Sequence, residues 1–168
     1  MTTPTAPLLR TATPTDFAAI WSLFEPIIVA GETYEFDESL TAAQAQAIWF
    51  NPQTQTVVAE WQGQIVGSYK LKPNFAGRGN HVANGSYIVG MQWQGQGIGR
   101  QLVEHSLQTA IAQGYRAMQF NIVVSTNVGA IKLYEKLGFA IVATIPQAFN
   151  HRTLGYVDTH VMYRNLIG

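Results

Sequence analysis

The sequence predicts a single α/β (mixed α+β) domain, with a twisted mixed β-sheet flanked by helices. Strand-like apolar stretches alternate with stretches whose apolar residues recur at helical spacing, in the order β-α-α-β-β-β-α-β-α-β-β. The length of 168 residues suits one domain with a substantial core, and no repeat or linker interrupts it. We expect residues 1–7 to form a flexible tail and residues 8–168 to form the domain.

The N-terminal third should contribute one strand and two helices. A short strand is expected at residues 8–12. Thr13 then suits the N-cap of a helix with proline at its first position. One face of this helix is apolar through Phe17, Ile20, Trp21, Phe24 and Ile28. Residues 31–37 break the pattern and should form a loop before a second helix over about 41–50.

The middle of the chain predicts three strands. Residues 56–61 and 64–72 are typical of strands, and Gln62-Gly63 between them is typical of a hairpin turn. Residues 73–80 contain two glycines and should be irregular. Residues 82–89 are apolar and predict the third strand.

The C-terminal half predicts two helices and three more strands. The first helix buries an arc of apolar residues and ends at Gly114; the arc comprises Leu102, Val103, Leu107, Ala110 and Ile111. A strand follows at residues 117–124, and a short helix begins after Asn127. The last strands are expected at 139–144 and 158–164.

A glycine-dense turn, Gln92 to Gln101, joins the strand at 82–89 to the helix that follows. The first amides of a helix have no intrahelical partner and carry partial positive charge, so this junction is suited to a phosphate. Its Gly-x-Gly-x-Gly spacing, Gly95 to Gly99, differs from the dinucleotide pattern, and no lysine follows as in a P-loop. The spacing that it does contain is Gln-x-x-Gly-x-Gly, from Gln94 to Gly99.

A second motif runs from Asn127 to Phe139 and reads NVGAIKLYEKLGF. Asn127 suits a helix N-cap, and Gly138 stands where a C-terminal glycine is expected. In an ordinary capped helix, Tyr134 would simply be a core aromatic residue.

Together the two motifs resemble, in order and separation, the two signatures of the GNAT (Gcn5-related) N-acetyltransferase superfamily. The resemblance covers roughly residues 8–166. It implies direct transfer of the acetyl group of acetyl-CoA to a neutral amine within a ternary complex. It also implies that homodimers are frequent.

The resemblance assigns roles to residues of both motifs. Main-chain groups of the turn would hold the pyrophosphate of coenzyme A, and those of the preceding strand would pair with its pantetheine arm. Tyr134 would protonate the departing thiolate, and Asn127 would hydrogen-bond the cofactor arm. The cofactor-binding set is Tyr87, Ile88, Val89, Gln94, Gly95, Gln96, Gly97, Ile98, Gly99, Arg100, Asn127 and Tyr134.

The general base is where the sequence departs from the family pattern. Several GNAT enzymes carry a glutamate on the strand before the Asn127-type residue, but this strand reads Asn121-Ile122-Val123-Val124. A water chain could remove the proton, the amine could arrive neutral, or the base could come from elsewhere. The candidates are Glu32, Glu35, His81, His151 and Asp158.

Asn84 and Asn121 lie within predicted interior strands, where asparagine is disfavoured. They could hydrogen-bond neighbouring backbone at a bulge, or line the acceptor slot and hold a substrate carboxylate or carbonyl. With residues 121–127 and the segment 31–36, they resemble fungal GNAT enzymes that acetylate azetidine-2-carboxylate and related proline analogues. The candidate substrate-binding residues are therefore Glu32, Asn84 and Asn121, and the candidate catalytic residues are Tyr134 and Asn121.

Composition excludes other classes of function. Charged residues make up 12% of the chain, about half the usual ~25%, and the formal net charge is zero, so nucleic acid and anionic membranes are not expected partners. The absence of cysteine excludes disulfides and thiolate chemistry, and we expect no metal. No signal peptide or apolar run of ~18 residues is present, which indicates a cytoplasmic protein. A small amine substrate is expected; the alternatives are a non-catalytic acetyl-CoA sensor and a protein N-terminal or lysine acetyltransferase.

Overall fold

The computed structural model describes residues 6–168 and places seven strands of that range in one sheet, ordered β1-β2-β3-β4-β5-β7-β6. Four α-helices of the same range flank the sheet. The elements are β1 Leu8–Thr11, α1 Phe17–Ala30, α2 Ala42–Trp49, β2 Gln55–Trp61, β3 Gln64–Pro73, β4 Val82–Val89, α3 Ile98–Ala112, β5 Ala117–Val124, α4 Val128–Lys136, β6 Ala140–His151 and β7 Gly155–Asn165.

The sheet is mixed because one neighbouring pair is parallel. Strands β1 to β4 pair antiparallel in chain order, as do β5, β7 and β6, whereas β4 and β5 are parallel. The β4–β5 pairing is confined to two positions, Val82 with Ala117 and Ala83 with Met118. Beyond them the two strands diverge, and a gap opens in the middle of the sheet.

The apolar core lies on both faces of this sheet. Helices α3 and α4 cover one face, where Leu102 and Met118 are fully buried. Helices α1 and α2 cover the other, where Phe24 and Trp49 are fully buried. Because side chains alternate along a strand, Tyr87 packs with the first cluster and its neighbour Ile88 with the second.

The predicted fold class and order of elements are confirmed. Thr41 caps α2, and its hydroxyl accepts from the Gln44 amide. The predicted bounds of the last two strands, 139–144 and 158–164, are too short. Strand β6 continues to His151 as an edge strand, so it tolerates Pro146 and an irregular register near Gln147, whose φ is +52°. These interruptions hide the alternation that would otherwise indicate a long strand.

The predicted N-terminal tail, residues 1–7, falls mostly outside the described residues, which begin at residue 6. Within the described chain, no helix has both the length and the apolar character that crossing a membrane requires.

Candidate functional site

A cavity of about 430 Å³ occupies the gap between β4 and β5. Its floor and sides come from β4, from residues 120–124 of β5 and from α4. The glycine turn and the start of α3 form one end, and the loop residues Thr33 to Glu35 form part of the other. The cavity therefore joins both sequence motifs to the loop that was predicted between α1 and α2.

At the glycine end of the cavity, main-chain amides have no hydrogen-bond partner within residues 6–168. Gly95 and Gly97 have φ of +75° and +79°, values that suit glycine, and no side chain caps α3. The first helical bond of α3 runs from the Gln101 amide to the Gly97 oxygen, so the amides of residues 98–100 precede it. Such a helix start accommodates an anion such as a pyrophosphate.

Not every residue of the turn faces the cavity. Gln94, Gly95, Gly97, Ile98 and Gly99 line it, whereas Gln96 and Arg100 are not among the lining residues. The Arg100 guanidinium pairs instead with Glu104, one helical turn away, at 2.8 Å.

Strand β4 presents an open main-chain edge to the cavity. The Gly90 amide donates to the Val66 oxygen at 3.0 Å. In an antiparallel ladder the hydrogen-bonding direction alternates, so the main-chain N–H and C=O of Ile88 point to β3. Those of Tyr87 and Val89 therefore point away from β3. The Tyr87 oxygen accepts a hydrogen bond of 3.0 Å from the Tyr34 hydroxyl. This edge is where the resemblance places the pantetheine arm.

Three tyrosines, Tyr34, Tyr87 and Tyr134, line the cavity, and their hydroxyls differ in what they contact. Tyr34 donates to the Tyr87 oxygen, and the Tyr87 hydroxyl lies 2.7 Å from the Ser106 hydroxyl. The Tyr134 hydroxyl has no hydrogen-bond partner among residues 6–168, although its ring packs on Phe120 with centroids 4.6 Å apart. Tyr134 is therefore the one of the three that is free to donate to a ligand.

Burial raises the pKa of Tyr134 above its ordinary value. The phenol consequently stays protonated at neutral pH and can donate to a ligand group beside it.

Asn127 caps helix α4 and lies in the wall of the cavity. Its side-chain oxygen accepts from the Ala130 amide and caps α4, and the residue also lines the cavity. Capping explains why an asparagine precedes α4, and the position of the residue leaves its side-chain amide next to the cavity.

The opposite end of the cavity has different chemistry from the glycine end. Glu35 is the one acidic residue among those that line the cavity, and Ser86 lies on the neighbouring wall. Glu32, the loop carboxylate singled out from the sequence, is exposed and is not a lining residue. The turn that begins at Gly31 directs residues 33–35, rather than Glu32, toward the cavity.

The other candidate bases lie away from the cavity. His81 is exposed, and the His151 ring accepts from the Thr153 amide. The Asp158 carboxylate accepts from the Gln147 amide at 2.9 Å, within the β6–β7 hairpin. The structure thus brings Glu35 to the site and not these three.

Asn84 and Asn121 hydrogen-bond protein groups beside the cavity and do not line it. Asn84 donates to the Gln119 oxygen at 3.0 Å and links β4 to β5 just before the strands diverge. Asn121 lies at the irregularity of β5 and donates to the Asn74 side chain at 2.7 Å. Each residue fits part of the interpretation in which it bonds neighbouring backbone at a bulge: Asn84 bonds backbone away from the β5 irregularity, and Asn121 lies at that irregularity but bonds side chains.

Sequence reasoning did not select three residues at the end of the cavity opposite the glycine turn: Tyr34 and Ser86, which line it, and Lys70, which contacts Ser86. Lys70 is only 6% exposed, and its ammonium donates to the Ser86 hydroxyl at 3.1 Å. A lysine between Tyr69 and Leu71 in a predicted strand was the available signal, but the partner of its side chain depends on the register between β3 and β4.

Comparison with known proteins shows the family of the chain. The profile of the Acetyltransferase (GNAT) family matches residues 17–139, which include the glycine turn and Tyr134. The chain belongs to the GNAT acetyltransferase family. Membership confirms the predicted enzyme class, an N-acetyltransferase, and acetyl-CoA as its cosubstrate.

Named relatives cover most of this GNAT chain. N-acetyltransferase aca1 of Schizosaccharomyces pombe is 30% identical over 80% of this chain and 72% of its own length. The L-amino acid N-acyltransferase MnaT of Escherichia coli is 28% identical over 83% of each chain. Among solved structures, a GCN5-related N-acetyltransferase from Kribbella flavida is 43% identical, with a TM-score of 0.91 over 96% of this chain and 99% of its own.

Proposed function

We propose that this GNAT enzyme acetylates the amine of a small amino acid or imino acid by direct transfer inside the β4–β5 cavity. The observation that carries the proposal is that the two ends of that cavity present different chemical groups. Among the described residues, amides without a partner lie at one end, a phenol without a partner lies on α4, and a carboxylate and a hydroxyl lie at the other end.

The glycine end would hold the donor. The amides at the start of α3 are suited to the pyrophosphate, and the open edge of β4 at Tyr87 and Val89 is suited to an amide-rich arm. The acetyl-CoA thioester supplies an activated acetyl group. An amide on this edge would stabilise the oxyanion that forms at its carbonyl.

Tyr134 would supply a proton to the departing sulfur. Its hydroxyl is the lining phenol with no protein partner among the described residues, and burial keeps it protonated. Asn127, capping the same helix, would fix the arm beside it.

Glu35 would receive the proton of the incoming amine, directly or through water. Glu35 is the acidic residue that lines the cavity, so we propose it, rather than Glu32, as the proton acceptor. Asn84 and Asn121 would act on the acceptor indirectly, since their hydrogen bonds shape the gap between β4 and β5.

A small acceptor is favoured by the way in which the loop closes this end. The Tyr34 hydroxyl fastens residues 33–35 to β4, and its ring packs on Phe24 with centroids 5.0 Å apart. The relative MnaT is named an L-amino acid N-acyltransferase, which supports an amino acid as the acceptor class.

Homodimerisation is also part of the proposal. Edge strand β6 exposes the apolar side chains of Ile141, Val142 and Ile145, which a second copy could cover. Light scattering on the purified chain would measure the mass of the particle in solution.

The acceptor class is tested by steady-state release of coenzyme A thiol with a panel of amines. The panel contains free amino acids, imino acids such as proline analogues, amines without a carboxylate, and peptides with free N-termini or lysines. We expect the highest kcat/KM among the amino and imino acids. Preferred turnover of peptides, or no turnover with any amine despite acetyl-CoA binding, would refute the proposal.

A further inference from the structure

One face of the β3–β4 ladder carries polar side chains next to the acceptor end of the cavity. Lys70 lies opposite Ser86 in the register, and Lys72 lies opposite Asn84. Residues paired across two strands, and residues two apart along a strand, project from the same face. All four side chains therefore share the face of the sheet that Ile88 also uses.

Lys70 is the unusual member of this group because its charge is buried. It is 6% exposed, whereas Lys72 is exposed. An ammonium has three hydrogens to donate, but within residues 6–168 Lys70 makes one hydrogen bond, to the Ser86 hydroxyl at 3.1 Å. No described carboxylate lies within ion-pairing distance of it.

Burying an ammonium that has one neutral hydrogen-bond partner costs folding free energy unless an anion pairs with it. Burial lowers the pKa of Lys70 to about 8, with Glu35 opposing that shift, so the group remains mostly charged at pH 7. The protein thus keeps a positive charge behind Ser86, and Ser86 lines the cavity.

The cavity supplies the place for such an anion. Ser86 and Glu35 both line its acceptor end, and Glu35 contributes electrostatically to Lys70 without forming a salt bridge with it. A ligand that has an amine and a carboxylate close together would find a partner of opposite charge for each, the Glu35 carboxylate for its amine and the Lys70 ammonium for its carboxylate. A simple amine would leave Lys70 without a counter-charge.

We propose that Lys70, acting at Ser86, binds the carboxylate of the acceptor and so restricts the enzyme to amines that carry a carboxylate beside the amino group. This inference rests on the proposed function and adds a specificity-determining residue to it. Ser86 holds the ammonium in place, and Glu35 faces the acceptor amine.

The test compares each amino acid with its own carboxamide, which keeps the side chain and the amine but removes the negative charge. The amide has the less basic amine, so more of it is neutral at pH 7, and a preference for the acid cannot arise from the amine. In the wild-type enzyme we expect kcat/KM to favour the acid by about 10-fold or more.

Lys70→Met keeps the length of the side chain and removes its charge. We expect it to lower kcat/KM for the acid by about 10- to 100-fold, mainly through KM, and to leave the amide within about twofold. Lys70→Arg should retain part of the preference. Lys72→Met, on the same face and strand, should leave the ratio of acid to amide unchanged.

Three results would overturn the inference. They are equal kcat/KM for acid and amide in the wild type, an equal loss on both substrates in Lys70→Met, and the same change of ratio in Lys72→Met. The first needs no variant and decides the matter even if Lys70→Met does not fold. Absence of turnover with acids, amides and all other amines would overturn the proposed function as well, whereas turnover of amines without this preference would overturn only the role of Lys70.

Discussion

The Tyr34 hydroxyl donates a hydrogen bond of 3.0 Å to the main-chain oxygen of Tyr87. The two residues are 53 positions apart in the chain, and the bond attaches the loop after α1 to the edge of β4 that β5 leaves open. The loop that carries Glu35 is thus positioned by the same strand that we propose holds the donor. Loop and strand together bound the acceptor end of the cavity.

Removing the Tyr34 hydroxyl should loosen this end selectively. Tyr34→Phe keeps the ring that packs on Phe24 but loses a hydrogen bond worth about 1 kcal/mol. We expect KM for the amine to rise about fivefold while the affinity for acetyl-CoA changes little. Steady-state kinetics and calorimetric titration would measure the two quantities. Tyr156→Phe, on an exposed side chain, is the control, and an unchanged KM in Tyr34→Phe would contradict the tether.

Tyr134→Phe should act on the chemical step. We expect kcat to fall by roughly 10²- to 10⁴-fold, with acetyl-CoA affinity nearly unchanged, because the lost hydroxyl serves only the leaving sulfur. Tyr87→Phe is the matched comparison, since its hydroxyl is already bonded to Ser106. That variant should lose about 1 kcal/mol of stability but little kcat. Equal effects of the two substitutions on kcat would remove Tyr134 from the mechanism.

The contribution of the glycine turn to acetyl-CoA binding can be distinguished from the backbone strain that a side chain introduces at a glycine. Gly97 and Gly155 have similar φ, +79° and +74°, and an added Cβ would meet no atom within 4 Å at either. Alanine at either position should cost about 1–2 kcal/mol of stability because the left-handed region disfavours side chains. Gly97→Ala should also weaken acetyl-CoA binding by about 10-fold or more, whereas Gly155→Ala should not. Equal affinity of the two variants for acetyl-CoA would argue against the turn as the anion site.

Stability should depend on pH through Asp16. Hydrogen bonds from the Arg10 guanidinium, foremost, and from the Thr13 amide hold the pKa of Asp16 well below its usual range. The folded protein therefore binds the proton less readily than the unfolded chain, so the contribution is complete above about pH 4 and is lost as the pH falls further.

We expect this contribution to be about 1 kcal/mol, since Arg10 is 35% exposed and water screens the pair. Urea unfolding of the wild type and of Asp16→Asn should show a constant difference between pH 5 and 7 that shrinks toward pH 3. A difference that stays constant to pH 3 would contradict the assignment.

The donor end of the site could be predicted from the sequence because its parts are local. The glycine turn lies between a strand and the helix that it starts, and Asn127 caps the helix that carries Tyr134. Each relationship spans fewer than about ten residues, so spacing and residue type suffice to indicate it.

The acceptor end could not be predicted in the same way. Whether Glu32 or Glu35 faces the cavity depends on the turn after α1, and the contact of Lys70 with Ser86 depends on the register of two strands. Asn84 and Asn121 were singled out as polar residues in strands, yet their partners, Gln119 and Asn74, lie 35 and 47 positions away in the chain. Tertiary geometry, rather than residue type, selects the groups that meet there.

The central claim is that transfer takes place inside the β4–β5 cavity, with Tyr134 at the leaving sulfur. A crystal structure of the wild-type protein with coenzyme A tests this claim most directly. The account predicts the pyrophosphate on the amides at the start of α3 and the thiol sulfur within hydrogen-bonding distance of the Tyr134 hydroxyl. A coenzyme A molecule whose sulfur lies outside this cavity, or against a different phenol, would contradict it.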